Sequence, residues 1–192
     1  MLFHTPWGPP QQQEAVAPGV TRVSTAGHGG YHVDTSALGT MPPALAAFDT
    51  FAGGDGCGGR WFEEDEDWCV VALAFPHLFQ PYDVWCALQT FGCCARTQPR
   101  YAAAERAFTG PARDEAERIA GAWFDEHRDH WRVRGYSCGT GPGWIVHYEH
   151  LSSGETTSRQ VSGEEFRGLP TVVAELPGVP FVRAPRAAST AT

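Results

Sequence analysis

Two groups of polar side chains in the first half of the chain contain the residue types that acid–base and metal chemistry use. The first is a glycine turn at residues 24–30, in which His28 follows one glycine and precedes two more. The second is an acidic run at residues 63–67, five consecutive acids directly before eight apolar residues. A histidine beside a carboxylate forms a general base with a tuned pKa, and the same side chains can hold a divalent metal ion.

These residues predict a hydrolase-like or metal-dependent site if the two groups meet in space, which the sequence leaves open. His28 is the predicted base or metal ligand, and Glu64 and Asp67 are its predicted carboxylate partners. Ser24 is a further candidate, as a nucleophile beside His28, although the G-x-S-x-G elbow of many serine hydrolases is absent around it. Backbone N–H groups of the glycine turn can also hold an anion or an oxyanion.

Both groups also have a structural explanation. His28 can orient its turn through hydrogen bonds, and five like charges in a row are typical of a solvated surface. Acids in the first turn of a helix interact favourably with the helix dipole, so the acidic run can simply stabilise the apolar segment after it.

Composition excludes several function classes. All fourteen basic residues are arginine, and the chain contains neither lysine nor asparagine. A lysine Schiff base, a P-loop lysine and a Cys-His-Asn triad are therefore excluded. The net charge of −8 argues against binding nucleic acid by neutralising its phosphates. A small molecule or a host protein is the expected partner, with no membrane involved, and the oligomeric state stays open.

The expected location is the cytoplasm. The N-terminus lacks the charged and apolar regions of a secretory signal, and no apolar run approaches the length of a membrane span. The six cysteines are even in number, but we interpret them as reduced because nothing indicates export.

The order of predicted elements indicates a single α+β domain, with a small, mostly antiparallel sheet drawn from both ends of the chain and several helices packed on it. Strands are predicted at residues 19–25, 31–34, 144–151 and 156–161. Helices are predicted for the apolar segment after residue 67 and at residues 82–91, 100–108 and 112–131, with Gly92 ending the helix at 82–91. The predicted domain spans residues 19–183, between an N-terminal arm at 1–18 and a disordered tail at 184–192.

Three segments resemble a family of uncharacterised bacterial domains found in phages, plasmids and integrated mobile elements. They are TPWG at residues 5–8, APGVTRVSTAGHGGYHVD at 17–34 and WFEEDEDWCVVALAFPHLF at 61–79. The family motifs are close to S-T-x-x-H-G-G and W-(F/Y)-E-E-D-x-D-W. Besides the four candidates above, the resemblance implies ligand-binding roles for Thr25, Gly29, Gly30, Glu63, Asp65 and Trp68. It implies no activity.

The mobile-element context suggests a second class of function. The acidic run can be the recognition patch of a non-catalytic interaction protein, for example an inhibitor of a host defence system. An enzyme is expected to bury His28 near Glu64, in a pocket that holds a carboxylate of perturbed pKa. An interaction protein is expected to spread its acids over an open surface with exposed aromatic side chains nearby.

Overall fold

The computed structural model describes residues 5–50, 52, 58–138, 143–174 and 176 of the 192 in the chain. The predicted tail at 184–192 lies outside these described residues. The α+β class predicted from the sequence is confirmed, since antiparallel sheets and helices make up the structure. The chain divides into two compact units, Met1–Trp123 and Phe124–Thr192, and each has a sheet of its own.

The first unit contains a four-stranded antiparallel sheet whose strands neighbour one another in chain order. These strands are β1 (Gln12–Ala17), β2 (Val20–Ser24), β3 (Gly29–Val33) and β4 (Arg60–Glu63). β1 falls inside the predicted N-terminal arm and forms a sheet edge, whereas β2 and β3 match the strands predicted at 19–25 and 31–34. Because Gly30 lies opposite Glu63 in the β3–β4 register, the glycine turn and the start of the acidic run are neighbours.

Helices make up most of the remainder of the first unit. They are α1 (Thr35–Leu38), α2 (Pro43–Ala46), α3 (Trp68–Ala74), α4 (Pro81–Ala95), α5 (Pro99–Ala107) and α6 (Pro111–His127), of which the last turn of α6 belongs to the second unit. The helix predicted after the acidic run is confirmed as α3, but the acids precede it instead of occupying its first turn. The prediction that Gly92 ends its helix is wrong, since α4 continues to Ala95. Burial of Phe91 and Cys94 on either side of Gly92 outweighs the weak helix propensity of glycine.

The core of the first unit surrounds α3. All five residues from Cys69 to Leu73 are completely buried, so this helix is apolar on every side. It packs against α4 and lies close to β3 and β4 of the sheet. Trp7, in the predicted arm, packs its ring edge-on against Trp61 of β4 with 5.6 Å between ring centroids. The sheet and α3 together fix the two ends of the acidic run.

The second unit contains a separate antiparallel sheet, followed by a short helix. Its elements are β5 (Trp131–Cys138), β6 (Trp144–His150), β7 (Thr156–Val161), α7 (Gly163–Arg167) and β8 (Val172–Val173), with the strands in the order β7-β6-β5-β8. Trp131 was predicted to end the long helix, which instead ends at His127. The prediction is wrong because Trp131 pairs with His150 and Val173 as a strand residue, and its ring enters the core of this sheet.

Candidate functional site

The glycine turn is a tight hairpin that Thr25 closes. The Thr25 N–H donates to the His28 carbonyl oxygen at 2.7 Å, and the Thr25 hydroxyl donates to the same oxygen at 2.7 Å. The Thr25 hydroxyl also accepts from the His28 N–H at 3.1 Å. Threonine therefore fixes the backbone of His28 and leaves the imidazole ring directed away from the core, with half of the side chain exposed.

Gly29 and Gly30 allow β3 to approach β4 closely. A Cβ atom added at Gly29 would lie 2.5 Å from Glu64 Oε2 and 2.9 Å from the Val23 carbonyl oxygen. A Cβ atom at Gly30 would collide with the Phe62 carbonyl oxygen. The two glycines are thus required by the close approach of neighbouring strands, and this approach is what brings His28 to the acidic run.

The structure brings His28 and Glu64 together, which the sequence left open, but it leaves His28 half exposed instead of buried in a pocket. The distance from His28 Nδ1 to Glu64 Oε1 is 4.0 Å, and the two side chains are 52% and 49% exposed. The Glu64 N–H donates to the Gly29 carbonyl oxygen at 3.1 Å, which continues the ladder between the two strands. An exposed ion pair at this distance contributes little to the free energy of unfolding. We therefore consider the pair for the chemistry that its geometry allows.

Glu63 and Asp65 complete a group around His28. One ligand atom from each of the three side chains lies within 4.8 Å of the other two. Glu63 is held in place because Oε1 accepts from the Asp65 N–H at 2.7 Å and Oε2 from the Glu66 N–H at 3.0 Å. Burial raises the pKa of Glu63, and the neighbouring Asp65 carboxylate raises it further. The acids that could share a metal ion with His28 are therefore Glu63 and Asp65.

The other end of the acidic run faces α5. Asp67 is completely buried; the Tyr101 hydroxyl donates to Oδ1 at 2.8 Å and the Arg100 guanidinium lies 3.0 Å from Oδ1. Glu66 accepts from the Gln98 amide at 2.8 Å and lies 3.5 Å from Arg100. Burial is the largest cause of the raised pKa of Tyr101. The electrostatic influence of Cys69 and the hydrogen bond from Tyr101 to Asp67 also raise this pKa. We call this set the Asp67–Arg100 network, and it links α3 to α5.

The glycine turn, the acidic run and α3 all lie in the segment that matches a known family. Residues 1–134 match the family model described as a domain of unknown function, DUF7007. The chain belongs to this family. The predicted membership of an uncharacterised domain family is thereby confirmed, while the link to phages, plasmids and mobile elements stays a prediction. Neither the curated proteins nor the solved structures contain a match to the chain.

The DUF7007 segment also contains a cavity of about 280 Å³ beside Glu64. Gly30, Glu64 and Trp68, all predicted ligand-binding or catalytic positions, line this cavity together with Arg22, Tyr31, Phe79 and Asp83. Burial raises the pKa of Asp83, against the opposing effects of a hydrogen bond from the Gln80 backbone and the charge of Arg22. Trp68 is therefore placed at a cavity wall, next to the His28 group rather than within it.

Ser24 lies at a different cavity of the DUF7007 segment. This open depression of about 440 Å³ is lined by Ser24 and Arg22 of β2 and by Gln12, Gln13 and Glu14 of β1. The backbone of Ser24 is part of the sheet. The Ser24 carbonyl oxygen accepts from the Gln11 N–H at 2.8 Å, and Ser24 lies opposite Gly29 in the β2–β3 register. Its role as a nucleophile stays a prediction.

Sequence reasoning missed four cavity residues, Arg22, Tyr31, Phe79 and Asp83. Strand alternation could have identified Arg22, because Arg22 lies two residues from the candidate Ser24 in β2 and alternate residues of a strand point to the same face. Asp83 is the third residue of α4, where an acid ordinarily indicates only a helix start. Asp83 lines the same cavity as Tyr31, far from it in sequence, so no local pattern predicts this proximity.

Proposed function

We propose that the glycine turn and the start of the acidic run form a divalent-metal site that supports hydrolytic chemistry. The observation that carries this proposal is the grouping of His28, Glu63 and Asp65, with ligand atoms within 4.8 Å of one another. One imidazole nitrogen and two carboxylate oxygens suit Zn²⁺ or Mn²⁺, and three protein ligands leave positions for water and substrate. A cation held there would lower the pKa of a water molecule and polarise a carbonyl or phosphoryl oxygen.

The electrostatics of the group support a cation. Burial raises the pKa of Glu63, and the neighbouring Asp65 carboxylate also raises it, against the two backbone N–H groups that lower it. The two backbone N–H groups that bind Glu63 orient its carboxylate, and each oxygen retains a lone pair for a further ligand. A divalent cation would remove the repulsion between the two carboxylates.

Glu64 is the proton-transfer residue of this proposal. Metal-ligating histidines commonly hold a carboxylate at the second ring nitrogen, and Glu64 lies 4.0 Å from His28 Nδ1. With half of its side chain exposed, Glu64 can also receive a proton from water that enters from the solvent side. His28 is thus assigned to ligation and Glu64 to acid–base chemistry.

Isothermal titration of the chelator-treated protein with Zn²⁺ and Mn²⁺ tests the proposal. We expect one site whose affinity falls about tenfold or more in His28→Ala and in Asp65→Asn. Asp125→Asn, which removes an exposed acid of α6, is the matched control and should leave the affinity unchanged. The proposal is wrong if the wild type binds neither ion, or if all three variants bind as the wild type does.

A panel of chromogenic carboxylate and phosphate esters tests the chemistry separately. We expect hydrolysis that depends on the added cation, and Glu64→Gln should reduce the rate while it retains the cation affinity of the wild type. Equal losses of rate and of cation affinity in Glu64→Gln would place Glu64 among the ligands and remove its proton-transfer role.

The exposure of the same residues favours protein recognition as a second candidate function. His28 and Glu64 are both about half exposed, so their charges are available to a basic partner. On this alternative the protein binds no divalent cation, and association with a partner weakens with salt and with loss of charge at Glu64 and Asp65. The cation titration therefore separates the two candidates.

A further inference from the structure

The cavity beside Glu64 has walls that no metal-site function requires. Three aromatic side chains line it, and two of them, Tyr31 and Phe79, form a corner with 5.6 Å between ring centroids and an interplanar angle of 58°. Trp68, the first residue of α3, contributes the third aromatic wall. Aromatic faces that converge on a small space attract organic cations, because the ring quadrupole presents negative charge at the face.

The charged residues of the cavity favour the same kind of ligand. Glu64 and Asp83 contribute two carboxylates against the single guanidinium of Arg22, so the lining is net negative. Arg22 is exposed, whereas Asp83 and Tyr31 are partly buried and both lie within the electrostatic influence of Arg22. Burial disfavours the charged form of Asp83, and an organic cation in the cavity would favour it.

The size of the cavity limits the ligand. Its volume of about 280 Å³ is at the lower end of the range for small-molecule sites, so a compact ligand fits. We propose that the cavity of Tyr31, Trp68, Phe79, Glu64 and Asp83 binds a small organic ammonium ion, with its alkyl groups against the rings and its charge near the two carboxylates. This binding does not require the metal ion proposed above.

Choline and its uncharged carbon analogue, 3,3-dimethyl-1-butanol, are matched probes of this proposal. We expect titration calorimetry in the presence of EDTA to detect choline binding and to show an affinity at least tenfold lower for the alcohol, because the two differ in charge and hardly in shape. Equal affinity for the two compounds, or no binding of choline at millimolar concentration, would overturn the proposal.

Single substitutions test which residues provide the charge. Asp83→Asn should weaken choline binding about tenfold, whereas Arg22→Gln should leave it unchanged or strengthen it, since Arg22 repels a cation. Asp125→Asn is the control for a lost acid outside the cavity, and thermal melting of each variant verifies folding. Loss of choline binding in Arg22→Gln with retention in Asp83→Asn would contradict the proposal, because the carboxylate would then not provide the attraction.

The two proposals fail independently. His28→Ala should reduce affinity for Zn²⁺ or Mn²⁺ and leave choline binding intact, whereas Asp83→Asn should do the reverse. A protein that binds choline in EDTA and no divalent cation keeps the cavity proposal and loses the metal site. The opposite result keeps only the metal site.

Discussion

The two ends of the acidic run have the same residue types and opposite electrostatic situations. At the first end, Glu63 and Asp65 lie close together beside a half-exposed histidine, and the pKa of Glu63 is raised. At the second end, Asp67 is completely buried against the guanidinium of Arg100 and the hydroxyl of Tyr101. Asp67 is more buried than Glu63, yet the charge of Asp67 is compensated by Arg100. In this run a charged partner, more than exposure, therefore decides what a carboxylate does.

The backbone explains why the run divides in this way. Glu63 ends β4 and is held against Gly30 by the sheet register, so the first acids follow the sheet. Asp67 directly precedes α3, whose residues from Cys69 to Leu73 are completely buried, so the last acid of the run follows the helix into the core. The turn between them changes the direction of the chain and separates a candidate site from a structural contact.

The largest expected effect is at the buried end of the run. Asp67→Ala should lower the free energy of unfolding by about 3 kcal/mol or more, because Arg100 and Tyr101 would lose a buried partner. Glu64→Ala, at the exposed end, should change it by no more than about 0.5 kcal/mol. Urea unfolding measures both.

Tyr101→Phe provides a milder test if Asp67→Ala does not fold. It removes one hydroxyl group and should lower the free energy of unfolding by about 1 kcal/mol. If Asp67→Ala and Glu64→Ala lowered the free energy of unfolding equally, the two ends of the run would not differ in their contribution to stability. Only the total charge of the run would then affect stability.

A smaller effect is expected where the strand of the glycine turn meets β4. Gly30→Ala should cost about 2 kcal/mol of stability, since its Cβ would collide with the Phe62 carbonyl oxygen and β3 would have to move. Gly27→Ala is the matched control, because a Cβ there meets no atom within 4 Å. Cation affinity should fall in Gly30→Ala and persist in Gly27→Ala. Similar affinities in the two variants would show that close strand approach does not position His28.

The smallest effect is a pH dependence at the exposed end. A carboxyl whose pKa is raised on folding holds its proton more tightly in the folded state, so the free energy of unfolding falls as pH rises from about 4.5, the ordinary pKa of glutamate, through the raised pKa of Glu63. Asp65→Asn removes the neighbouring charge but not the burial, so this fall should become smaller. Urea unfolding at a series of pH values without divalent cations measures the difference.

Two outcomes check this last expectation. Saturating cation should restore stability at neutral pH in the wild type more than in Asp65→Asn, because a ligand of the folded state stabilises it. An identical pH profile in the two proteins would mean that Asp65 has no influence on Glu63, and the argument that repulsion favours a cation would fail.

Local patterns predicted the class of the fold and many of its elements. The helices predicted after the acidic run and at residues 82–91 are confirmed as α3 and α4. Errors arose where a local signal competed with packing. Gly92 was expected to end a helix that burial of its neighbours extends, and Trp131 fitted the periodicity of a helix although strand pairing places it in the second sheet. Among the described residues, none of the helices combines the length and the apolar composition that a membrane span requires.

Residue types alone predicted a candidate site at a histidine among glycines and a run of carboxylates, because those types limit the chemistry that is possible. Which acids accompany His28 depends on tertiary packing. Sheet register placed Glu63, Glu64 and Asp65 near the histidine, and burial of α3 directed Asp67 to Arg100. The physical reason is that side chains adjacent in sequence leave a strand end and a helix start in different directions. Tyr31 meets Phe79 and Asp83 through long-range packing, which no local pattern predicts.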